Sequence, residues 1–197
     1  MRLNPLSAAI LGLALTLSSC GASKDDASSA ASQISEELAS ERLVETVSEF
    51  EAVFLAGQIG DTLKFMPPKV KSVFLKAAGG SETRLKTEIQ QTWEDALQVI
   101  SLEEFSFDMS DTSVSKLENG QIYKTIPTYM LMGINADPDT VIEAKSETVA
   151  ILMDNNWYMV RLDEPEQVKL FRRSYPEFAS LEISEATMEQ RARSEIQ

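Results

Sequence analysis

Ser101-Leu102-Glu103-Glu104-Phe105-Ser106-Phe107-Asp108-Met109 is the stretch where the chain changes its period. Phe105, Phe107 and Met109 alternate with polar residues, the two-residue period of a strand with one buried face. Upstream, apolar residues recur at helical spacing. Downstream, short β-rich runs are separated by turn signals. Helices segregated from an antiparallel meander define an α+β fold rather than a βαβ one.

Working back from residue 100, Ile34, Leu38, Val44, Val47, Phe50 and Phe54 form a helical stripe with charges between them. Ser32 is its expected N-cap, with Glu36 and Glu37 near the positive end of the helix dipole. Gly57 and Gly60 are expected to end it. Pro67-Pro68 opens a second, short helix carrying Val70, Val73 and Phe74, and Gly79-Gly80 stops it. Ser81 caps a third, in which Leu85, Ile89, Trp93, Ala96 and Ile100 share one stripe.

Working forward, Asn119-Gly120 predicts a type I′ hairpin, because both residues accept positive φ. Residues 121–134 read as a second strand, with Pro127 at a bulge or an edge. Ala136-Asp137-Pro138-Asp139 predicts a turn, Val141 to Met153 a third strand, and Asn155-Asn156 a tight turn into Trp157 to Leu162. Pro165 opens a fourth, short helix with Val168, Phe171 and Tyr175 on one side, and Pro176 ends it. The polar tail, residues 184–197, is expected to fray, with Thr187 to Ser194 as its one helical segment.

The first nineteen residues read as an address. Arg2, a short apolar run through Leu15, and small residues before Cys20 are the parts of a secretory signal. The run is too short to span a bilayer, which takes about 20 residues. Leu17-Ser18-Ser19-Cys20 resembles the lipobox of bacterial lipoproteins. The resemblance implies a signal peptide over residues 1–19, removed before Cys20, and diacylglycerol and acyl chains such as palmitate on that cysteine. Several acyl chains hold a protein firmly to membrane lipid where one does not. Gly21, rather than Asp, after the cysteine implies the outer membrane of a Gram-negative envelope, facing the periplasm. Residues 20–33 are rich in Ser and Ala and read as a flexible tether.

Composition narrows the chemistry. The formal charge of −13 disfavours nucleic acid and anionic headgroups as partners. Hydrophobic residues at 43% suffice for a packed core. The chain has no histidine and one cysteine, Cys20. Ser-His-Asp and Cys-His nucleophilic sets are therefore excluded, as are zinc, haem and iron–sulfur sites built on His or Cys. No cofactor or metal is expected. Glu41, Glu45, Glu49 and Glu51, like Asp137 and Asp139, lack a D-x-D-x-D-G calcium loop and read as a solvated helix face and a turn.

The order of elements over residues 34–183 resembles the nuclear transport factor 2-like superfamily, the cystatin-like cone. Phe54-Leu55-Ala56-Gly57-Gln58-Ile59-Gly60-Asp61, Phe65-Met66-Pro67-Pro68 and Asp154-Asn155-Asn156-Trp157-Tyr158-Met159-Val160 carry the resemblance, and Phe171-Arg172-Arg173-Ser174-Tyr175-Pro176 is similar to the tail of exported bacterial members. It implies N-terminal helices followed by a curved four-stranded antiparallel sheet and a short C-terminal helix, with a pocket at the open end of the cone. Enzymes, immunity proteins and binding modules share this fold, so the resemblance leaves function open.

Candidate ligand-binding residues are Tyr123 and Tyr129, six apart on one strand face with Thr125 between them, and Arg161, which follows Trp157 and Met159 at period two. The tyrosines read first as a packed strand face with hydroxyls at its rim. Arg161 would bind an anion at the cone mouth or, more commonly, pair with Glu143 or Glu147. Asp108, between Phe107 and Met109, alternates towards solvent. Met130, Met132, Met153 and Met159 read as core filling. No catalytic residue is assigned. The leading expectation is a non-catalytic, lipid-anchored binding or assembly module of the envelope, holding a protein partner or a small apolar ligand. The alternative is an Asp/Tyr isomerase, lyase or hydrolase acting on a small apolar substrate in the cone. A homodimer through the open sheet face is compatible with both.

Overall fold

The computed structural model describes residues 35–196. Cys20, Ser32 and Ile34 lie outside the described residues. Helix α1 spans Glu36–Leu55, and Ser35 is its N-cap, its side chain accepting from Leu38 N at 3.2 Å. Such a cap contributes about 1 kcal/mol. The buried stripe is Ala39, Leu43, Val47, Phe50 and Phe54, whereas Leu38 and Val44 face solvent, a correction to the expected stripe. Gly57, at φ +72°, turns the chain out of the helix. Gly60 instead lies inside a 3-10 helix, Ile59–Lys64, where a side chain would strike the Lys86 carbonyl oxygen at 2.8 Å. Helix α2 (Pro68–Ala77) starts and stops as its Pro-Pro and Gly-Gly signals require, and α3 (Glu82–Leu97) starts after Ser81 but ends before Ile100, which opens the first strand instead of closing the helical stripe.

Strands follow: β1 (Ile100–Phe107), β2 (Ser115–Lys116), β3 (Ile122–Ile134), β4 (Asp137–Met153) and β5 (Asn156–Arg161), then α4 (Pro165–Ser174) and β6 (Thr187–Ala192). All pairings are antiparallel in the order β1-β3-β4-β5, with β2 added to β3 and β6 to β4. The sheet therefore has six strands rather than the expected four.

Two turns differ from expectation. At Asn119-Gly120 only Gly120 has positive φ. Gly120 N donates to Leu117 O and Leu117 N to Gln121 O, both at 2.9 Å, as in a tight turn closed by a glycine bulge. The two successive positive φ values of a type I′ hairpin occur at Asp154 (49°) and Asn155 (61°), joining the paired residues Met153 and Asn156. The turn between β3 and β4 is at Asn135-Ala136, and Asp137 already belongs to β4.

Pro127 sits where β1 leaves the sheet. Its carbonyl accepts from Asp108 N, so its missing N–H falls on a side of β3 with no strand beside it. Among the described residues the tail forms a strand in place of the expected helix. Thr187–Ala192 pairs with residues 140–145 of β4, and a 3-10 turn, Arg193–Glu195, follows. Strand β5 covers only residues 148–153 of β4, leaving backbone groups that β6 satisfies.

Cores form on both faces of the sheet. Against one pack α1 and α3, through Phe50, Phe54, Trp93, Phe105, Phe107, Met130 and Met159. Against part of the other pack α2, α4 and a short 3-10 turn, through Val70, Phe171, Tyr175 and Phe178 on Val149 and Ile151. Trp157 Nε1 donates to the Ala39 carbonyl at 2.9 Å, tying β5 to the first turns of α1.

Candidate functional site

Alternation along β5 sends Trp157, Met159 and Arg161 towards α1 and Val160 to the opposite face. The Arg161 guanidinium lies 5.6 Å from the Phe54 ring and 5.3 Å from the Phe105 ring, which stack on each other at 4.0 Å. Such cation–π placement favours a desolvated cation. Asp163 neutralises it, with Oδ2 at 2.9 Å from an Arg161 terminal nitrogen. Neither Glu143 nor Glu147 is its partner. Glu143 holds Lys145 and Arg191, and Glu147 accepts from the backbone and hydroxyl of Ser184. Arg161 Nε and Asp163 Oδ1 are buried without a hydrogen-bond partner. An anion approaching Arg161 would compete with a carboxylate already in place.

The two tyrosines share a face of β3 but not a site. Six residues of strand separate them by about 20 Å. Tyr123 packs edge-on against Phe178, with ring centres 5.4 Å apart. Tyr129 lies over the half of the face beside Glu143 and Glu104. Desolvation first, and those carboxylates second, push its hydroxyl above the ordinary tyrosine range. Asp108 is exposed and accepts from Ser110 N at 2.9 Å, and hydrogen bonds from Ser110 hold its carboxyl below the usual range. Met130, Met132 and Met159 lie in the first core, and Met153 packs on the second. Among the described residues no cluster of three or more Asp, Glu, His or Cys side chains is placed to hold a metal.

Between α1 and the sheet, aromatic and methionine side chains occupy the space that the cone resemblance assigns to a pocket. Two surface grooves lie outside it. One groove, of about 670 Å³, runs under residues 179–184 beside Glu147 and Arg172. A second, of about 510 Å³, follows the seam of α1 and β5, lined by Arg42, Glu45, Thr46, Lys64 and Tyr158 with Trp157 in its wall. Arg42 donates to Asn155 O at 3.3 Å, and Lys64 pairs with Glu49. Sequence reasoning assigned no role to Arg42, Lys64 or Tyr158. They come from α1, the 3-10 helix and β5, and only the packing of these three elements brings them together. Neither groove contains Asp108, Tyr123 or Tyr129.

No helix among the described residues is long and apolar enough to cross a membrane. Comparison with protein-family models, with curated proteins and with solved structures yields no match.

Proposed function

We propose that the chain is a lipid-anchored, periplasm-facing binding module of the bacterial envelope, built on a cystatin-like cone. In this reading Cys20 carries the lipid, residues 20–33 form the tether, and the domain engages a protein partner through a surface groove. One observation carries the binding reading: the space between α1 and the sheet is filled by Phe50, Phe54, Phe105, Phe107 and Met159, so recognition falls to the open polar grooves. The seam groove suits a peptide segment, because Arg42, Glu45 and Lys64 offer charges of both signs beside the Trp157 wall. The curl of the sheet around α1 supports the cone. An Asp/Tyr active site built from the candidates in the sequence would need Asp108 to converge with Tyr123 or Tyr129, and neither groove is lined by any of the three.

The test has two arms. Cells fed an alkyne-bearing palmitate analogue should label the wild-type chain in the envelope fraction and leave Cys20→Ala unlabelled. A photo-crosslinking residue at Thr46 should then trap a discrete envelope protein, where the same residue at exposed Glu88 traps none. Failure to label refutes the anchor. Equal trapping at both positions refutes the groove.

A further inference from the structure

Residues 184–193 are held almost entirely by polar contacts. Every residue of β6 is exposed except Arg191, which is partly buried. Three carboxylates on the sheet hold the segment. Glu147 accepts from Ser184 N at 3.0 Å and Ser184 Oγ at 2.8 Å. Glu143 pairs with Arg191 at 3.2 Å. Glu103 receives both terminal nitrogens of Arg193 at 2.7 Å, and Arg193 Nε donates to Pro138 O. The last clamp depends on two local irregularities. Glu103 is the extra residue of a bulge between Leu102 and Glu104, and its carboxylate lies over Gly133, where a side chain would collide with it. The backbone of residues 140–145 supplies the remaining bonds.

We propose that this edge of β4 is a strand-exchange site, into which a second copy of the chain inserts its own residues 187–195. The inserted strand presents Arg191 to Glu143 and Arg193 to Glu103, so the contacts made within one chain are remade between two. Exchange therefore sacrifices no contact beyond the link at Glu185-Ala186, which follows the Ser184 clamp and has no regular structure. Because β6 buries little apolar surface, its release exposes little, and the ion pairs that hold it weaken with salt. The inference is independent of the lipid anchor.

Complementary charge reversal tests it in the full chain. Glu103→Arg and Arg193→Glu each place like charges together within one molecule. Exchanged between the two variants, both sites regain opposite charges. Each variant alone should run as a monomer by light scattering. An equimolar mixture, combined in high salt and returned to low salt, should double in mass and fall back when salt is restored. A mixture that stays monomeric, with native circular dichroism in both variants, overturns the proposal. So does a dimer formed equally by either variant alone. If charge reversal prevents folding, Thr140→Cys with Ala192→Cys, in a Cys20→Ser chain, marks the same register. Interchain disulfides after salt cycling support exchange, and disulfides confined within single chains refute it.

Discussion

The guanidinium of Arg161, on β5, lies 5.3 Å from the ring of Phe105, on β1, although β3 and β4 separate their strands. Neighbouring strands are about 4.8 Å apart, so in a flat sheet these side chains would stand apart and parallel. Their contact shows that the sheet curls until its two edges face each other across Phe54. Replacing Arg161 by Ala opens this seam and leaves Asp163 without its cation. Both side chains keep some contact with water, so we expect a loss of about 1–3 kcal/mol, read as a lower urea midpoint. Arg161→Lys should recover only part of it, since an ammonium lacks the planar stack.

Thr128 and Thr148 form a buried hydroxyl pair at 2.8 Å in the first core, and Thr128 Oγ1 also approaches the Ile126 carbonyl at 3.2 Å. Thr128→Val should therefore cost more than Thr148→Val, because it orphans Thr148 whereas Thr128 retains a second acceptor. A buried, unpaired hydroxyl costs about 1–3 kcal/mol. The double valine variant should lie close to wild type. A double-mutant cycle in urea measures the difference.

Gly133→Ala introduces a methyl group where the Glu103 carboxylate lies, 2.7 Å from Ser101 Oγ. The Glu103 side chain can swing away, but only by releasing Arg193. Global stability should change little, while trypsin should cut at Arg191 and Arg193 faster than in the parent. Unchanged cleavage would separate the glycine from the tail.

Acid should act on the same clamp. The hydrogen bond from Arg193 holds the Glu103 carboxyl below the usual range. A lowered native value means that its stabilisation is fully present above the unfolded value, about 4.3, and is lost as pH falls through the native one. Amide protection across residues 191–195, taken relative to the intrinsic exchange rate at each pH, should fall below about pH 4. In Glu103→Gln that protection should already be low at neutral pH.

Much of the architecture is written in local signals. Ser81, Pro67-Pro68, Gly79-Gly80 and the Pro165–Pro176 frame mark helix ends because each supplies a particular donor, acceptor or φ. The type I′ turn falls elsewhere than the sequence signal placed it: Asn119-Gly120 carries the signal, but Asp154-Asn155 adopts the two positive φ values, because the pairing of Met153 with Asn156 leaves a two-residue loop there. Strand β6 is illegible for a physical reason. It satisfies backbone groups rather than burying a face, so Thr187–Ala192 carries no alternation. The candidate residues fared similarly. Alternation puts Tyr123 and Tyr129 on one face, but α4 covers only one end of it. The partner of Arg161 is Asp163, beyond the strand end, which cross-strand pairing rules do not reach.

Between the end of β1 and the start of β2, residues 124–127 of β3 have no strand on their outer side. Such bare backbone is where foreign chains dock and fibrils begin. Here Pro127 offers no donor, and Lys124 grips Asp111 at 2.6 Å, drawing the connecting loop over the opening. Concentrated solutions should stay clear for as long as both guards remain, and Pro127→Val combined with Lys124→Ser should turn the same domain into a seed for aggregation.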